Sequence, residues 1–207
     1  MSQPLNFSPP DDGEEIARAE VYGLLAALFV APPTPALYAS LQVAVTEAPA
    51  AGAFLESNWS ALVAAARRLP LAAIGDEYAA LFQSIGKPEV FLFSSWFIAG
   101  HLNEKPLVDL RHSLVALGLE RPAGVLQTED HIAGLCEVMR YLIAGDDARV
   151  SKLATQRRFF DRHLRPWNDA LWDTISAHPA ADFYAAVAGF ARDFLAVEAR
   201  GFDLLDA

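Results

Sequence analysis

The sequence predicts an all-α fold, a single helical domain of about nine to ten helices. Three observations predict this class. Apolar residues recur at the three- and four-residue spacing of a buried helix face in nearly every periodic segment. Prolines and glycines separate these segments at the places where helices end. The sequence has no paired strand patterns, no β–α–β alternation and no internal repeat.

Four helices are predicted in the first part of the chain. The first ends before Pro32 and Pro33, because proline lacks an N–H group and clashes with the preceding turn. A second helix begins near Pro35, and a third covers residues 54–69. The fourth helix ends at Gly86 and has one apolar face. That face consists of Tyr78, Leu81, Phe82 and Ile85.

The middle of the chain is less regular. Residues 90–98 are rich in aromatic side chains and lack a clean period. We expect a loop that turns into a short helix there, with an isolated strand as the alternative. Helical spacing returns over residues 103–118, and residues 119–127 have the composition of a loop.

The last part of the chain contains four more predicted helices. One begins at Thr128 and continues through an apolar, helix-periodic run to residue 143. The next covers residues 148–164, and Pro166 suits the first turn of the helix that follows. The last helix buries a single stripe. Its members are Phe183, Val187, Phe190, Phe194 and Val197.

The composition limits the partners that fit the chain. Its 207 residues, 53% of them hydrophobic, are enough for one sizeable core. The formal net charge of −10 argues against nucleic acid or an anionic membrane as a partner and favours a basic one. The single cysteine, Cys136, excludes an internal disulfide framework and favours a reducing compartment.

The N-terminal region favours the cytoplasm. Residues 1–15 are acidic and proline-rich, lack the basic and apolar regions of a secretory signal, and are expected to form a flexible tail. The apolar stretch over residues 22–31 is too short to span a bilayer, so we interpret it as part of a core helix.

The stretch from Thr128 to His131 is the strongest candidate for a polar site. It is predicted to place Glu129, Asp130 and His131 in the first turn of a helix, where free N–H groups and the helix dipole favour carboxylates. Two interpretations stay open. His131 is either a cap of the helix or part of a binding site.

Motifs of metal, phosphate and nucleophilic chemistry are absent from the sequence. It contains no Glu-x-x-His or His-Glu-x-x-His pattern and no glycine-rich phosphate loop. Cys136 would lie about 140° from His131 around a helix, so we interpret it as a buried packing residue. The arginine pairs at residues 67–68 and 157–158 are interpreted as solvated helix faces. We therefore assign no catalytic residue and no metal ligand.

Aromatic side chains accumulate around the irregular segment. They are Phe91, Phe93, Trp96 and Phe97, beside Tyr78 and Phe82. Such a cluster either fills the core between two lobes or lines a groove for an apolar helix or extended peptide. Residue types alone favour the core.

Six short motifs occur in a recognisable order. They are Glu77-Tyr78-x-x-Leu81-Phe82, Ser95-Trp96-Phe97, Glu104-Lys105-Pro106-Leu107 with Leu110-Arg111, Glu129-Asp130-His131 with Leu135 and Met139, Phe159-x-x-x-His163-Leu164-x-x-Trp167, and Phe183-Tyr184. This order resembles the TorD/DmsD/NarJ family of maturation chaperones for molybdenum-containing redox enzymes. The resemblance covers about residues 16–200.

The resemblance implies an all-helical cytoplasmic chaperone that is not an enzyme. Such chaperones bind the twin-arginine signal peptide or N-terminal segment of an apo-molybdoenzyme subunit, delay its export and assist insertion of molybdopterin. The resemblance implies no resident cofactor, only transient handling of molybdopterin. It also implies one domain over residues 16–205, with lobes at roughly 16–118 and 128–205 and an inter-lobe loop near 119–128.

A receptor for a twin-arginine leader needs carboxylates beside an apolar groove, because the leader combines a cationic and an apolar region. By resemblance, Glu129, Asp130 and His131 are the candidates near the cationic region. The other candidate peptide-binding residues are Tyr78, Leu81, Phe82, Phe93, Ser95, Trp96 and Phe97. Gln127 and Thr128 replace the acid and the proline that commonly precede the family's Asp-His pair, so Glu129 is the candidate substitute for that acid.

Other functions stay open at this point. A small helical enzyme or cofactor-processing protein would use Asp130 and His131, and a helical structural subunit would stay bound to its partner. Within the family, the long tracts of the sequence look most like members that accompany formate dehydrogenases. We expect a monomer, with a domain-swapped dimer as the alternative.

Overall fold

Ten α-helices make up the computed structural model, which describes residues 12–46, 55–83, 86–145, 149 and 151–206. The helices are α1 (Asp12–Val30), α2 (Pro35–Val43), α3 (Glu56–Arg68), α4 (Leu71–Phe82), α5 (Ser94–Ala99), α6 (Lys105–Ala116), α7 (Ile132–Ala144), α8 (Leu153–His163), α9 (Asn168–Ser176) and α10 (Phe183–Asp203). A 3₁₀ turn at Leu204–Asp206 ends the described chain. The all-α prediction is confirmed. None of the described helices is long and apolar enough to cross a membrane.

The helices share one hydrophobic core. α1 packs along α7, and α10 packs against α3 and α9, so both halves of the chain contribute to it. Its largest fully buried side chains include Tyr22, Trp172 and Tyr184. Cys136 is also buried there, where burial raises the pKa of its thiol, and its interpretation as a packing residue is confirmed. The division into two lobes stays a prediction, because the core is continuous across it.

Several predicted boundaries differ from the observed ones. Residues 12–15 belong to α1, whereas the rest of the predicted N-terminal tail lies outside the described residues. The helix predicted from residue 148 begins at Leu153, and the one predicted from Pro166 begins at Asn168. Phe54 and Ile85, assigned to predicted helices, lie outside the described residues. The predicted loop and short helix around residues 90–98 are confirmed, since α5 begins at Ser94.

A buried ion pair joins the first helix to the last. Arg18 donates from Nε and Nη2 to the two oxygens of Glu198, at 2.7 and 2.8 Å. The Tyr22 hydroxyl donates to the same carboxylate at 3.1 Å. Arg18 also donates to Gln156 at 3.2 Å, and the Gln156 amide donates to the carbonyl of Leu142. The network thus connects α1, α7, α8 and α10, and it satisfies a carboxylate whose side chain is 4% exposed.

α6 ends in a Schellman motif that directs the chain away from the bundle. The Leu119 N–H donates to the Leu114 carbonyl at 2.9 Å, and the Gly118 N–H donates to the Val115 carbonyl at 3.0 Å. Gly118 has a φ of 72°, a left-handed conformation that strains other residues. The chain then enters an irregular segment over residues 119–129, called the 119–129 loop below.

We expect Arg18→Ala to lower the free energy of unfolding by about 3–5 kcal/mol, because it leaves the Glu198 carboxylate buried without its cationic partner. Urea unfolding monitored by circular dichroism measures this loss. Adding Glu198→Gln should restore part of the stability, because the second substitution removes the buried charge.

The matched control is Lys105→Ala, which removes the cation of an exposed ion pair with Asp109. Its stability should stay close to that of the wild type. Equal losses in the control and in Arg18→Ala would contradict a special role for the buried pair.

Candidate functional site

The Asp130 carboxylate is buried and fully engaged within the chain. Its Oδ2 accepts hydrogen bonds from the Ser95 N–H at 3.0 Å and the Ser95 hydroxyl at 2.6 Å. Its Oδ1 accepts one from the Thr128 hydroxyl at 2.7 Å. Because Phe93 precedes α5 without a side-chain cap, Asp130 provides the cap of α5 from a distant segment. Asp130 therefore connects the 119–129 loop to α5.

Backbone hydrogen bonds reinforce this connection. The Ser94 N–H donates to the Asp130 carbonyl at 3.0 Å, and the Ile132 N–H donates to the Leu92 carbonyl at 2.8 Å. Phe93 and His131 form the antiparallel bridge between these two segments. We call this pairing of residues 92–95 with residues 130–132 the Asp130 clamp.

His131 caps α7. Its Nδ1 accepts a hydrogen bond from the Ala133 N–H at 3.1 Å, which requires an unprotonated Nδ1. Burial lowers the pKa of His131 to about 4, although the neighbouring Asp130 charge raises it. The Phe93 ring packs edge-on against the imidazole, with ring centroids 5.0 Å apart. His131 is thus a neutral helix cap under a phenyl ring.

The structure corrects the predicted position of the two acids. α7 begins at Ile132, so Glu129 and Asp130 precede the helix and do not lie in its first turn. Asp130 is fully buried and binds Ser95 and Thr128, so it does not face a ligand. Asp130 thus precedes α7 in the sequence but caps α5.

Three of the predicted groove residues belong to the core. Tyr78 is 3% exposed and its hydroxyl donates to the Phe29 carbonyl, while Leu81 is fully buried. Phe82 packs edge-on against Tyr184, with ring centroids 5.0 Å apart. The prediction that Tyr78, Leu81 and Phe82 line an open groove is therefore corrected, because their helix face packs against α1 and α10.

The aromatic residues of the middle segment are half-buried and do not form one groove. Trp96 stacks on Phe91 at 4.1 Å, and the Lys87 ammonium lies 4.9 Å from the Trp96 ring centroid. Phe97 stacks on the buried Trp167 at 5.5 Å. Phe97 thus packs against the core, whereas Phe91 and Trp96 stack on each other beside Lys87.

A largely apolar cavity of about 370 Å³ lies between the 119–129 loop and α7. Gly134, Glu137, Val138 and Tyr141 form its α7 wall. The opposite wall is the 119–129 loop, with Val125 and Glu129 among its side chains, and His131 lies at the junction. We call this space the α7 cavity.

The α7 cavity has an acidic rim, formed by Glu120, Glu129 and Glu137. Glu120 is exposed and has no ion pair within the described residues. Glu137 is exposed and lies 3.4 Å from Arg140. Arg121 is the one basic side chain among the residues that line the cavity, so carboxylates predominate there.

Two arginines hold the third carboxylate. Arg111 donates from Nε and Nη2 to Glu129 Oε2 at 3.1 and 2.9 Å, and Arg121 Nε lies 3.7 Å from Glu129 Oε1. Burial raises the pKa of Glu129, but the hydrogen bonds from Arg111 and from its own backbone, together with the charges of Arg111 and Arg121, outweigh it, so the pKa lies below its ordinary value. Arg121 also donates to the carbonyls of Val125 and Gln127 and thereby holds the loop in its shape.

Gly134 allows the loop to approach α7. A Cβ at this position would lie 3.1 Å from the Glu129 carbonyl oxygen, which is tighter than ordinary packing. The sequence carries a signal for this wall, outside the predicted site residues. Gly134, Glu137, Val138 and Tyr141 follow i, i+3, i+4 and i+7, a second stripe beside the buried one of α7.

The chemistry of the site is that of a binding surface. The Asp130 oxygens and His131 Nδ1 already accept hydrogen bonds from the chain itself. Within residues 12–46, 55–83, 86–145, 149 and 151–206, no group of three or more histidines, cysteines and acids is placed to hold a metal ion. The α7 cavity offers apolar walls beside carboxylates, which suits a ligand that is both cationic and apolar.

The family model described as nitrate reductase delta subunit matches residues 48–173. This range includes α3 to α8, the Asp130 clamp and the whole α7 cavity except Val30. A search of curated proteins finds no match.

We expect Asp130→Ala to lower the free energy of unfolding by about 2–4 kcal/mol, because two buried donors of Ser95 and the half-buried hydroxyl of Thr128 lose a charged acceptor. Asp130→Asn should lose less, since its amide oxygen can still accept from Ser95. Denaturant unfolding measures both. Glu120→Ala, which removes an exposed carboxylate, is the control; a similar loss there would count against the clamp.

Stability should depend on pH through His131. Its pKa is about 4 in the folded state and about 6.5 in the unfolded chain. As the pH falls, the unfolded state binds the proton first. The contribution of His131 is therefore fully present above about pH 6.5 and is lost down to about pH 4, at up to about 1.4 kcal/mol per pH unit.

His131→Asn keeps an acceptor for the Ala133 N–H but cannot titrate. We expect its unfolding free energy to fall less steeply between pH 6.5 and pH 4 than that of the wild type. Urea titrations at several pH values measure both slopes. Identical slopes would show that His131 is not the titrating group, because His163, whose pKa is also about 4, is present in both proteins.

Proposed function

Because the chain belongs to the nitrate reductase delta subunit family, whose members are molybdoenzyme maturation chaperones, we propose that it binds the N-terminal leader of an apo-molybdoenzyme subunit in the α7 cavity. The observation that carries the proposal is an apolar cavity bordered by Glu120, Glu129 and Glu137. A twin-arginine leader has the complementary composition, a cationic segment followed by an apolar one.

The apolar part of the leader enters between the 119–129 loop and α7. Val125, Val138 and Tyr141 line this space. Val125 is 40% exposed, Tyr141 is 37% exposed, and Val138 is half-buried. A helical or extended segment that covers these side chains removes apolar surface from water, at about 25 cal/mol for each Å². The Asp130 clamp keeps the loop at a fixed distance from α5 while its other side contacts the leader.

The cationic part of the leader contacts the rim. Glu120 is free to accept an arginine, and its exposed position lets the leader's guanidinium keep part of its hydration. Glu129 Oε1 lies 3.7 Å from Arg121 Nε, a long contact, so an incoming arginine displaces the Arg121 contact there. Arg111 stays on Oε2 and keeps Glu129 in place.

In this proposal the chain works in the cytoplasm as a monomer. It holds the leader of its client back from export while molybdopterin is inserted, and it releases the mature enzyme without catalysing a reaction. The client we propose is a formate dehydrogenase. The long tracts of this sequence resemble those of family members that accompany formate dehydrogenases. Co-purification from the native host, with identification of the captured enzyme, tests the choice of client.

We expect Glu120→Lys to weaken binding of a synthetic leader, with two consecutive arginines followed by an apolar segment, by about three- to tenfold at low salt. The reason is that an attractive rim charge becomes repulsive. Calorimetric titration measures the affinity. Glu20→Lys is the matched control, because it makes the same change of charge on α1, about 15 Å along the helix from the cavity residue Val30.

Val125→Asp tests the apolar wall and should weaken binding by about 1–2 kcal/mol, because it places a charge where the apolar segment lies. Val43→Asp makes the same replacement on the exposed face of α2 and should leave the affinity unchanged. If Glu120→Lys and Val125→Asp both bind normally while Trp96→Ala binds weakly, the leader site is the Phe91–Trp96 surface and the α7 cavity is excluded.

A further inference from the structure

A second cavity, of about 250 Å³, separates α6 from α8. α8 contributes Thr155, Arg158 and Arg162, which follow i, i+3 and i+7 and therefore lie on one face of the helix. α6 contributes His112 and Ser113. No acidic residue is among the described residues that line the cavity, although the whole chain carries a net charge of −10. We call it the α6–α8 cavity.

The two arginines of this cavity are exposed and form no ion pair within the described residues, although the Asp109 carboxylate on α6 is near enough to Arg162 for their charges to interact. The arginines around Asp161 differ in this respect. Arg157 on α8 and Arg165, two residues beyond its end, both pair with Asp161. Within the described residues, the chain thus pairs these two arginines and leaves Arg158 and Arg162 without an ion pair.

The remaining polar groups complete a set of donors. His163 Nε2 lies 2.8 Å from Ser113 Oγ, while the Ser113 hydroxyl donates to the Asp109 carbonyl at 3.2 Å. This assigns the proton of the His163 ring to Nε2. The Thr155 hydroxyl has no hydrogen-bond partner within the described residues and lines the cavity, as does the imidazole of the exposed His112.

Apolar side chains also line the cavity. They are the exposed Ala116, the half-buried Leu117 and the buried Phe159. A smaller cavity of about 190 Å³ adjoins it and shares Arg162 and His163, so the space continues along α8. The Asp109 carboxylate lies in that smaller cavity, where it binds Lys105 and where its charge also interacts with Arg162 and His112.

We infer that the α6–α8 cavity binds the phosphate group of a small phosphorylated molecule. Two guanidinium groups one helical turn apart, with a hydroxyl and an imidazole beside them, offer several donors to the oxygens of one dianion. A carboxylate has two oxygens and one charge and would use fewer of these donors. The apolar side chains that line the cavity accommodate the organic part of such a molecule.

This inference does not depend on the leader-binding proposal, because no residue lines both the α6–α8 cavity and the α7 cavity. α6 contributes to each from different positions. A loss of leader binding therefore neither supports nor contradicts the phosphate site. Phosphate binding is measured in a separate experiment.

The test is calorimetric titration of the full chain with inorganic pyrophosphate and with a nucleoside diphosphate at low salt, with the uncharged nucleoside as the comparison. We expect both phosphate compounds to bind and the nucleoside not to. Arg158→Gln with Arg162→Gln should reduce both affinities by about tenfold or more. In the amide NMR spectrum of the wild type, pyrophosphate should shift the signals of His112 and Thr155.

The control is Arg140→Gln with Arg192→Gln, which makes the same change of net charge at two exposed arginines that already pair with carboxylates. It should bind pyrophosphate like the wild type. Equal affinity in the two double variants overturns the proposal, and so does the absence of pyrophosphate binding at millimolar concentration. Binding to anionic vesicles without binding to pyrophosphate also overturns it, since the surface would then recognise a membrane.

Discussion

The buried carboxylate of Asp130 is the interaction on which the candidate site depends. The carboxylate accepts three hydrogen bonds from Ser95 and Thr128, and the backbone carbonyl of Asp130 accepts a fourth from the Ser94 N–H. These bonds fix the end of the 119–129 loop against α5. The next residue, His131, caps α7, so two consecutive residues cap two helices. The α7 cavity exists because the loop is held at this point while Gly134 lets its backbone approach α7.

The same device recurs at α10. The Glu77 carboxylate on α4 accepts hydrogen bonds from the backbone N–H groups of Asp182, Phe183 and Tyr184, at 2.7 to 3.0 Å. A helix end capped from a distant segment requires both segments to be in place, since each leaves buried polar groups unsatisfied without the other. Such caps couple local helix formation to the tertiary fold. They explain why acids far apart in the sequence belong to recognisable motifs.

Residues of different sequence motifs contact one another in the fold. These contacts explain which features could be predicted from the sequence. Glu77 caps the helix that begins at Phe183, Ser95 binds Asp130, and Phe97 stacks on Trp167. The all-α class, the buried stripe of α7 and the family were therefore accessible from the sequence. The site was less accessible, because a periodic pattern identifies a buried face without naming its partner. Tyr78 illustrates the limit, since an aromatic residue in a core and one in a groove share the same spacing.

The ion pairs of the free protein determine how charge contributes to the proposed binding. Glu129 is already paired with Arg111 and Arg121, so a leader arginine at this carboxylate exchanges one guanidinium for another. The net gain in free energy from such an exchange is small, because the desolvation of the incoming arginine offsets much of the new attraction. Affinity must then come mainly from the apolar walls and from the unpaired Glu120. The carboxylates determine which leaders fit and in which direction they lie, whereas the apolar segment holds them.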